Sequence, residues 1–572
     1  MKNRELASLF DRMADLLEFK GENPFKVNAY RRAARVIGDL TEDIEERSAS
    51  GTLGKIPGIG AAIAKKVAEY LETGRIARFE EAREGVSDDL IALLDLPGLG
   101  PKTLRQLHDA LGIENLADLQ QAIESGDLEA LPGFGKKKAE NLLRGIQRYA
   151  QSKERMPLGK ALGIATELTE ALRSSAGVHR IEAAGSLRRM RETVGDIDLL
   201  ATGADGPAII GAFVRLPLVN EVLAAGDTKG SVIVADGRQV DLRVVDKDAY
   251  GAALAYFTGS QAHNIRLRGI ARERGLKINE YGIWRGDERI GGENEEDIYT
   301  ALDMPWIPPE LREDRGEIEA AQARALPHLV ERAHIRGDLH VHSTYSDGAA
   351  TLEEIAAHAR QLGYTYVAIT DHSQSLHIAN GLSEERLYRQ IEEIERINRT
   401  LSGFRLLSGT EVDIKSDGTL DFPDDLLARL DLVIASVHSG FKQSEDRITG
   451  RLLSAIHHPH VDIIGHPTGR LLTTRDAYAV DLERVIEAAA ETGTALEINA
   501  YAERLDLDDL HCRRAKDMGV KLAIGTDSHR LEQMDIMHLG LGVARRGWLE
   551  PSDVINTWAV GELIAWTNRS NG

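Results

Sequence analysis

The chain has 572 residues, 42% hydrophobic and 28% charged, with a formal net charge of −21; that length calls for several domains, and that composition excludes a disordered or fibrous protein. No apolar run approaches the ~20 residues of a membrane helix, the opening MKNRELASLFDRMADLLEF has no signal-peptide core, and a single cysteine, Cys512, excludes an intrachain disulfide, so a reducing cytoplasm is expected. The acidic total does not exclude a nucleic-acid partner, because residues 1–150 hold 22 Lys+Arg against 25 Asp+Glu and the largest acidic excess lies beyond residue 330.

Residues 1–150 read as short helices separated by glycine turns. Three turns repeat one theme: IPGIGAAIAKKV (56–67), LPGLGPKTLRQL (96–107) and LPGFGKKKAENLL (131–143). In each, Pro-Gly-x-Gly opens a helix. Gly58, Gly98 and Gly133 permit φ > 0, and with Gly60, Gly100 and Gly135 they leave backbone N–H groups uncovered. Such donors at a helix N-terminus bind phosphate whatever the base sequence. One copy would pass for an ordinary turn; three copies with flanking lysines point to DNA backbone binding. From about 158 to 245, helices alternate with β-rich runs such as DIDLLAT and SVIVADGRQVDLRVV. In AAGSLRRMRETVGDIDLLAT (183–202), Gly185-Ser186 opens a helix and Asp196-x-Asp198 starts a strand, where residues two apart share a face. Asp241, in QVDLRVV, falls on an adjacent strand. Three aspartates so placed suit two Mg²⁺ ions about 3.5–4 Å apart for in-line phosphoryl transfer, with Gly185 and Ser186 on triphosphate oxygens. A mixed segment, 248–315, ends in PWIPPELRED, and a charged helical linker is expected over 316–334.

Beyond the linker, the strands GDLHVH, YVAITDH, LLSGTEVDI, LVIASVH, VDIIGHP, ALEINA and LAIGTDSH alternate with amphipathic helices, and seven βα units predict a parallel barrel. His340 and His342 alternate on the first of these strands. Asp347 follows in the next loop, and His372, Glu411, His438, His466, Asp527 and His529 fall at later strand ends. A barrel builds its active site at those ends. Mixed histidine and carboxylate ligands suit Zn²⁺ or Mn²⁺ better than Mg²⁺, and nine of them suggest a multinuclear cluster.

These motifs carry family resemblances. The glycine turns resemble helix-hairpin-helix motifs. The run GSLRRMRETVGDIDLL resembles the nucleotidyltransferase palm of DNA polymerase beta and the family X polymerases, a likeness covering most of residues 1–315. It implies triphosphate contacts at Gly185, Ser186, Arg189 and Gly195, and catalytic metal ligands at Asp196, Asp198 and Asp241. AYFTGSQAHNIRLRG (255–269) matches that family's YFTGS motif, and INEYG (278–282) also matches. The match implies Tyr256, Phe257 and Gly259 beneath the incoming sugar, Asn264 on the base's minor-groove edge and Arg268 on the template. PFKVNAYRRAA (24–34) with the first glycine turn resembles the family's lyase domain. Lys66 then takes the Schiff-base position, and Lys26 and Tyr30 the 5′-phosphate pocket. Phe25 stands where that family has His, and Ala62 where it has Lys. The C-terminal pattern resembles the PHP (polymerase and histidinol phosphatase) family, with all nine positions of its trinuclear site present and Arg470 and Asn499 lining the pocket.

The whole chain thus resembles the bacterial family X DNA polymerases, a polymerase-beta-like core joined to a C-terminal PHP barrel. The fold implied is multidomain α and α/β. A lyase-like helical domain spans 1–80, a second helix-hairpin-helix domain 81–155, a nucleotidyltransferase palm 156–247 and a thumb 248–315. The linker 316–334 leads to a distorted (β/α)7 PHP barrel over 335–572. The activity implied is gap-filling DNA synthesis in base-excision repair with 3′–5′ exonuclease, and AP endonuclease and 3′-phosphatase as further hydrolyses. Gapped or nicked DNA and dNTPs are the implied partners of a monomeric chain, with Mg²⁺ or Mn²⁺ at the palm and a Zn²⁺ or Mn²⁺ cluster in the barrel. Two other readings stay open on the residues: a DNA-end phosphoesterase whose palm only binds gapped DNA, and a barrel whose metals are structural.

Overall fold

A computed structural model describes residues 3–38, 44–56, 58–95, 99–131, 134–135, 155–174 and 177–568. Gly98, Gly133 and the helix expected after the third glycine turn lie outside the described residues. The chain divides into two compact units, Met1–Glu154 and Arg155–Gly572.

In the first unit, helices Asn3–Phe19 and Pro24–Gly38 pair through Leu6, Phe10, Met13 and Leu17 against Val27, Ala33, Ala34 and Ile37. The three- and four-residue spacing of these apolar side chains makes one buried stripe on each helix. Gly58 adopts φ +97°, and Gly60 starts helix Ala61–Thr73. Gly100 likewise starts Pro101–Leu111. The residue between each pair of glycines, Ile59, Leu99 or Phe134, is buried and pins its turn to a core. Gly60, Gly100 and Gly135 have open space where a Cβ would stand. The repeat therefore turns its apolar residue inward and leaves bare backbone outward.

The second unit begins with a five-stranded sheet. Its strands are β1 (Val178–Ala183), β2 (Ile197–Gly203), β3 (Val219–Ala225), β4 (Lys229–Val234) and β5 (Gln239–Val244), in the order β1-β2-β5-β4-β3. Only β2 and β5 run parallel. Ile197, Leu199 and Ala201 with Val240, Leu242 and Val244 form a core with helices Leu158–Arg173 and Gly206–Phe213. By strand alternation, Asp198 and Asp241 occupy the opposite face. A three-stranded antiparallel sheet of β6 (Lys277–Asn279), β7 (Gly282–Arg285) and β8 (Glu288–Gly291) follows, packed with helices Gln261–Glu273 and Glu295–Ala301. The stretch expected to be a charged linker is packed instead: Ile318, Ala321 and Leu329 join that same core, and buried Glu317 meets His263 at 2.6 Å. The pattern of charges concealed a buried face whose acidic member has a histidine partner.

Seven parallel strands then form the barrel: β9 (Gly337–Val341), β10 (Tyr366–Ile369), β11 (Arg405–Asp413), β12 (Leu432–Ser436), β13 (Ile463–Ile464), β14 (Ala495–Asn499) and β15 (Leu522–Gly525), paired in sequence order. Val341 bridges Ser528, and Asp527 N–H donates to the His340 carbonyl at 2.9 Å, which closes the barrel. Leu339, Tyr366, Leu407, Ile434, Ile463 and Ala523 cluster with Ile555 and Leu563, so the C-terminal segment stops the barrel's interior.

Palm and barrel are joined by buried ion pairs. Glu313 accepts from Arg189 Nε and Arg546 Nη1, each at 2.9 Å, and Asp509 accepts from Arg546 and Arg315 at 2.7 and 2.8 Å. Arg470 donates to Glu192 at 2.7 Å. Burial opposes ionisation of Glu313, but Arg546 and Arg189 overcome it and hold its carboxyl far below the usual range. Met190 packs on Gly542, and Gly159 faces Ala502 and Leu539.

Candidate active sites in palm and barrel

In the palm, β2 and β5 pair with Asp198 directly beside Asp241, and Asp196 precedes β2 by one residue. Gly185 adopts φ +60°, and a Cβ there would stand 2.5 Å from Asp198 Oδ2. Only glycine allows the loop to approach that carboxylate so closely. Burial, then the charges of Asp196 and Asp241, push the Asp198 carboxyl up to about 6. Asp241 is compensated separately, by Lys229 at 2.8 Å and Gln239 at 2.9 Å. A buried carboxylate destabilised by two like neighbours is what a divalent cation relieves, so this donor set fits such an ion.

The YFTGS segment ends helix Tyr250–Thr258 beside these strands. The Phe257 ring lies over the Arg243 guanidinium at 4.6 Å, and Arg243 is two residues from Asp241 on β5. Tyr256 and Phe257 meet edge to face at 5.2 Å. Asn264 donates to the carbonyls of Tyr256 and Gly259 at 2.7 and 3.1 Å, and a Cβ on Gly259 would strike its Oδ1. Arg268 lies 5.9 Å from the Tyr256 ring. Gly195 has Arg155 beside it. Arg188 bridges Thr258 and Glu295, at 2.9 and 2.7 Å.

In the barrel, the His342 ring stacks on His372 and on His529 with centroids 4.3 Å from each, and those two rings are 6.1 Å apart. Three sets of side chains bring their donor atoms together: His342, Asp347, His372 and His529; His340, His342 and Asp527; His372, Glu411 and His438. His466 Nε2 lies 2.8 Å from Glu411 Oε1. His342 and His372 are each shared by two sets. Among the described residues, His340 Nε2, His342 Nδ1, His372 Nδ1, His466 Nδ1 and Glu411 Oε2 are buried with no hydrogen-bond partner. His372 Nδ1 is 2.8 Å from Glu411 Oε2 without hydrogen-bond alignment. Orphaned buried nitrogens aimed at carboxylates fit divalent cations better than they fit one another. Burial, then His372, push His342 down to about 4, so its imidazole is in the neutral, ligating form. Burial opposes ionisation of Glu411, and His438, His340 and His372 reverse it. His466 and Asp527 hold φ of +28° and +53°, backbone strain of the kind found at functional sites.

Family models match four stretches: Helix-hairpin-helix domain at residues 1–76, SAM-like Helix-hairpin-helix tandem at 90–148, DNA polymerase beta thumb at 253–313 and PHP domain at 338–501. Over 577 aligned residues the chain is 42% identical to the DNA polymerase/3′-5′ exonuclease PolX of Bacillus subtilis (strain 168), with 100% of each chain covered. The chain belongs to the PolX family. Two shorter relatives of the chain are a probable phosphatase of Thermoanaerobacter sp. (strain X514), 32% identical over 38% of this chain and 89% of the relative, and one of Caldanaerobacter subterraneus subsp. tengcongensis, 36% identical over 34% and 75%.

In this PolX chain two expected pocket residues have protein partners. Arg189 is nine-tenths buried, and its guanidinium donates to Glu313 and to the Thr258 carbonyl of the YFTGS segment. Arg470 is drawn to Glu192 and to the carbonyls of Arg504 and Leu505. Asn499 does reach the cluster, donating to Asp527 at 3.1 Å. Glu497 and Asp413 were not anticipated. Glu497 accepts from His340 Nδ1 at 2.6 Å and the His466 N–H at 2.7 Å, and Asp413 meets His438 Nδ1 at 2.9 Å. Each sits two residues from a named site residue, Asn499 or Glu411, and that same-face spacing was the available signal.

Among the first unit's residues, Lys66 Nζ lies 5.9 Å from the Tyr30 ring and 3.4 Å from the Ala62 carbonyl. Lys26 pairs with Glu22 at 3.2 Å, and Phe25 is 85% exposed. No helix among the described residues is long and apolar enough to cross a membrane.

Proposed function

We propose that this chain is a cytoplasmic DNA polymerase that fills short gaps during base-excision repair and carries a separate 3′–5′ exonuclease in its barrel. The observation that supports this reading is the presence of two separate acidic centres, the palm aspartates with Asp198 beside Asp241 on paired strands, and the nine-residue constellation at the barrel mouth, whose donor atoms converge. The palm would take Mg²⁺ or Mn²⁺ and a dNTP; the barrel would take three Zn²⁺ or Mn²⁺ ions. Bound divalent cations supply Lewis-acid stabilisation of phosphoryl oxygens at both centres. Asp196, Asp198 and Asp241 would hold the palm ions, Gly185, Ser186, Arg189 and Gly195 the triphosphate. Tyr256, Phe257 and Gly259 set the floor for the sugar, with Asn264 and Arg268 at the base and template. AP endonuclease and 3′-phosphatase chemistry belong to the same barrel site. A one-nucleotide gap with a labelled primer, incubated with Mg²⁺ or Mn²⁺ with and without dNTPs, tests the reading. Extension by one nucleotide with dNTPs and shortening without them are expected; shortening alone would leave a phosphoesterase whose palm only binds DNA.

The bare glycine turns are the proposed duplex-backbone contacts. Gly58→Val is expected to weaken binding to gapped DNA of any sequence, because φ +97° disfavours a β-branched residue and the new Cβ would stand 3.0 Å from Val36 Cγ2. The strain costs about 1–3 kcal/mol, so thermal unfolding should be followed beside a filter-binding titration. Undiminished affinity of the folded variant on several sequences would reduce the turn to a connector.

Lys66 is the proposed Schiff-base lysine, with Lys26 and Tyr30 near the 5′-phosphate. Borohydride should trap the wild type on a 5′-deoxyribose-phosphate end, and Lys66→Ala should not trap. Trapping of the variant would move the nucleophile to another amine.

A further inference from the structure

The palm loop between β1 and β2 carries the Gly185-Ser186 turn at one end and Asp196 and Asp198 at the other. The barrel holds the middle of that loop at three places. Arg546, the last residue of helix Met537–Arg546, donates from Nη1 to the Arg189 carbonyl at 2.8 Å. On the same helix Gly542 leaves room for Met190: a Cβ there would stand 2.6 Å from Met190 Cε and 3.0 Å from Met190 Cβ. Arg470 reaches Glu192 at 2.7 Å. Met190 itself adopts φ +54°, a left-handed conformation that a side chain keeps only where its surroundings impose it.

Buried Arg546 also donates to Glu313 at 2.9 Å and to Asp509 at 2.7 Å. Glu313 accepts in turn from Arg189 Nε, and Arg189 Nη1 donates to the Thr258 carbonyl at 2.7 Å. A chain of bonds therefore runs from the barrel through Arg189 to the YFTGS segment. An ion pair that only fastened two domains would need carboxylates alone; the bond to the Arg189 carbonyl fixes where the turn itself lies. The shared carboxylate has a second effect. Arg189 is not the sole counter-charge of Glu313, so it keeps cationic character toward an anionic ligand. We propose that Arg546, a barrel residue, is a positioning residue for nucleotide addition: it holds the Arg189–Met190 turn so that Gly185, Ser186 and Arg189 meet the triphosphate of an incoming dNTP. This rests on reading the palm as the polymerase. A triphosphate site gains from donors already in place before the ligand arrives, because no ordering of the loop then opposes binding.

The test uses the full chain on a one-nucleotide gap with Mg²⁺ at varied dNTP, beside 3′-end hydrolysis of a single strand. It compares wild type, Arg546→Met, Arg546→Lys and Gly542→Ala, with Asp198→Ala as reference and thermal unfolding as the check on fold. Arg546→Met is expected to raise the dNTP KM by about tenfold or more with a smaller fall in kcat, and Arg546→Lys, which keeps the charge and a donor, should recover part of the loss. Gly542→Ala favours its helix, yet the new Cβ displaces Met190, so it should raise that KM by about threefold. Hydrolysis should stay within about twofold of wild type in all three, since no barrel ligand is touched. A folded Arg546→Met with wild-type dNTP KM, while Asp198→Ala is inactive, overturns the proposal and leaves the polymerase reading standing. If Arg546→Met does not fold, Arg546→Lys and Gly542→Ala decide, and wild-type KM in both overturns it. Synthesis retained by Asp198→Ala removes the polymerase from the palm and this proposal with it.

Discussion

His342→Ala and Asp527→Ala are each expected to cut 3′–5′ hydrolysis by at least about 100-fold, while nucleotide addition at a one-nucleotide gap persists. The two residues come from the first and last strands of the barrel, and only closure brings His342 Nε2 to within 3.1 Å of Asp527. His342 belongs to two of the three donor sets, so its loss disturbs more than one ion. Chelation followed by Mn²⁺ or Zn²⁺ should restore hydrolysis to the wild type and not to these variants. The measurement is degradation of a labelled 3′ end beside extension of the same primer. Wild-type hydrolysis in variants proven to have lost metal would leave the barrel as a scaffold.

Asp198→Ala should abolish nucleotide addition and leave 3′-end hydrolysis in place, and Asp196→Ala should do the same. Asp198 lies beside Asp241 on parallel strands; burial, then the charges of Asp196 and Asp241, push its carboxyl up to about 6, and binding of a cation would relieve that. Removing one of three carboxylates removes an anionic ligand that would hold the palm ions, and with them Lewis-acid stabilisation of the phosphoryl oxygens, a loss of about 10²–10³-fold or more in rate. A single-turnover extension assay on a gapped substrate reads this directly. Hydrolysis lost in parallel with synthesis, in a variant that keeps its fold, would mean that the two centres are one.

Most of this architecture was legible because it rests on short-range regularities. Strand alternation put His340 with His342 and Asp196 with Asp198, and the order of βα units announced the barrel. What escaped was decided by packing across long separations. The Arg189 guanidinium finds its carboxylate partner in Glu313, 124 residues away. The stretch 316–334 was expected as a charged helical linker, yet Glu317 is buried against His263. Glu497 and Asp413 look like ordinary strand residues until the barrel closes and sets them behind His340 and His438. No local pattern encodes which distant partner a charge will find.

The ion pairs around Glu313 bear on how DNA would be handed from one centre to the other. A flexible tether would let the nuclease swing toward a stalled primer. Glu313, Arg546, Asp509 and Arg315 form a lock instead, and breaking one buried pair by removing a partner costs about 3–5 kcal/mol. Cutting the chain near residue 330 would strip Arg546 and Asp509 from that lock, so a polymerase core without its barrel should be a damaged protein rather than a simpler one. With the two workshops bolted to one bench, the workpiece has to travel: the primer end frays from its template and crosses, or the duplex lets go and lands again. The ease with which a given 3′ end unpairs would then set how often it is trimmed.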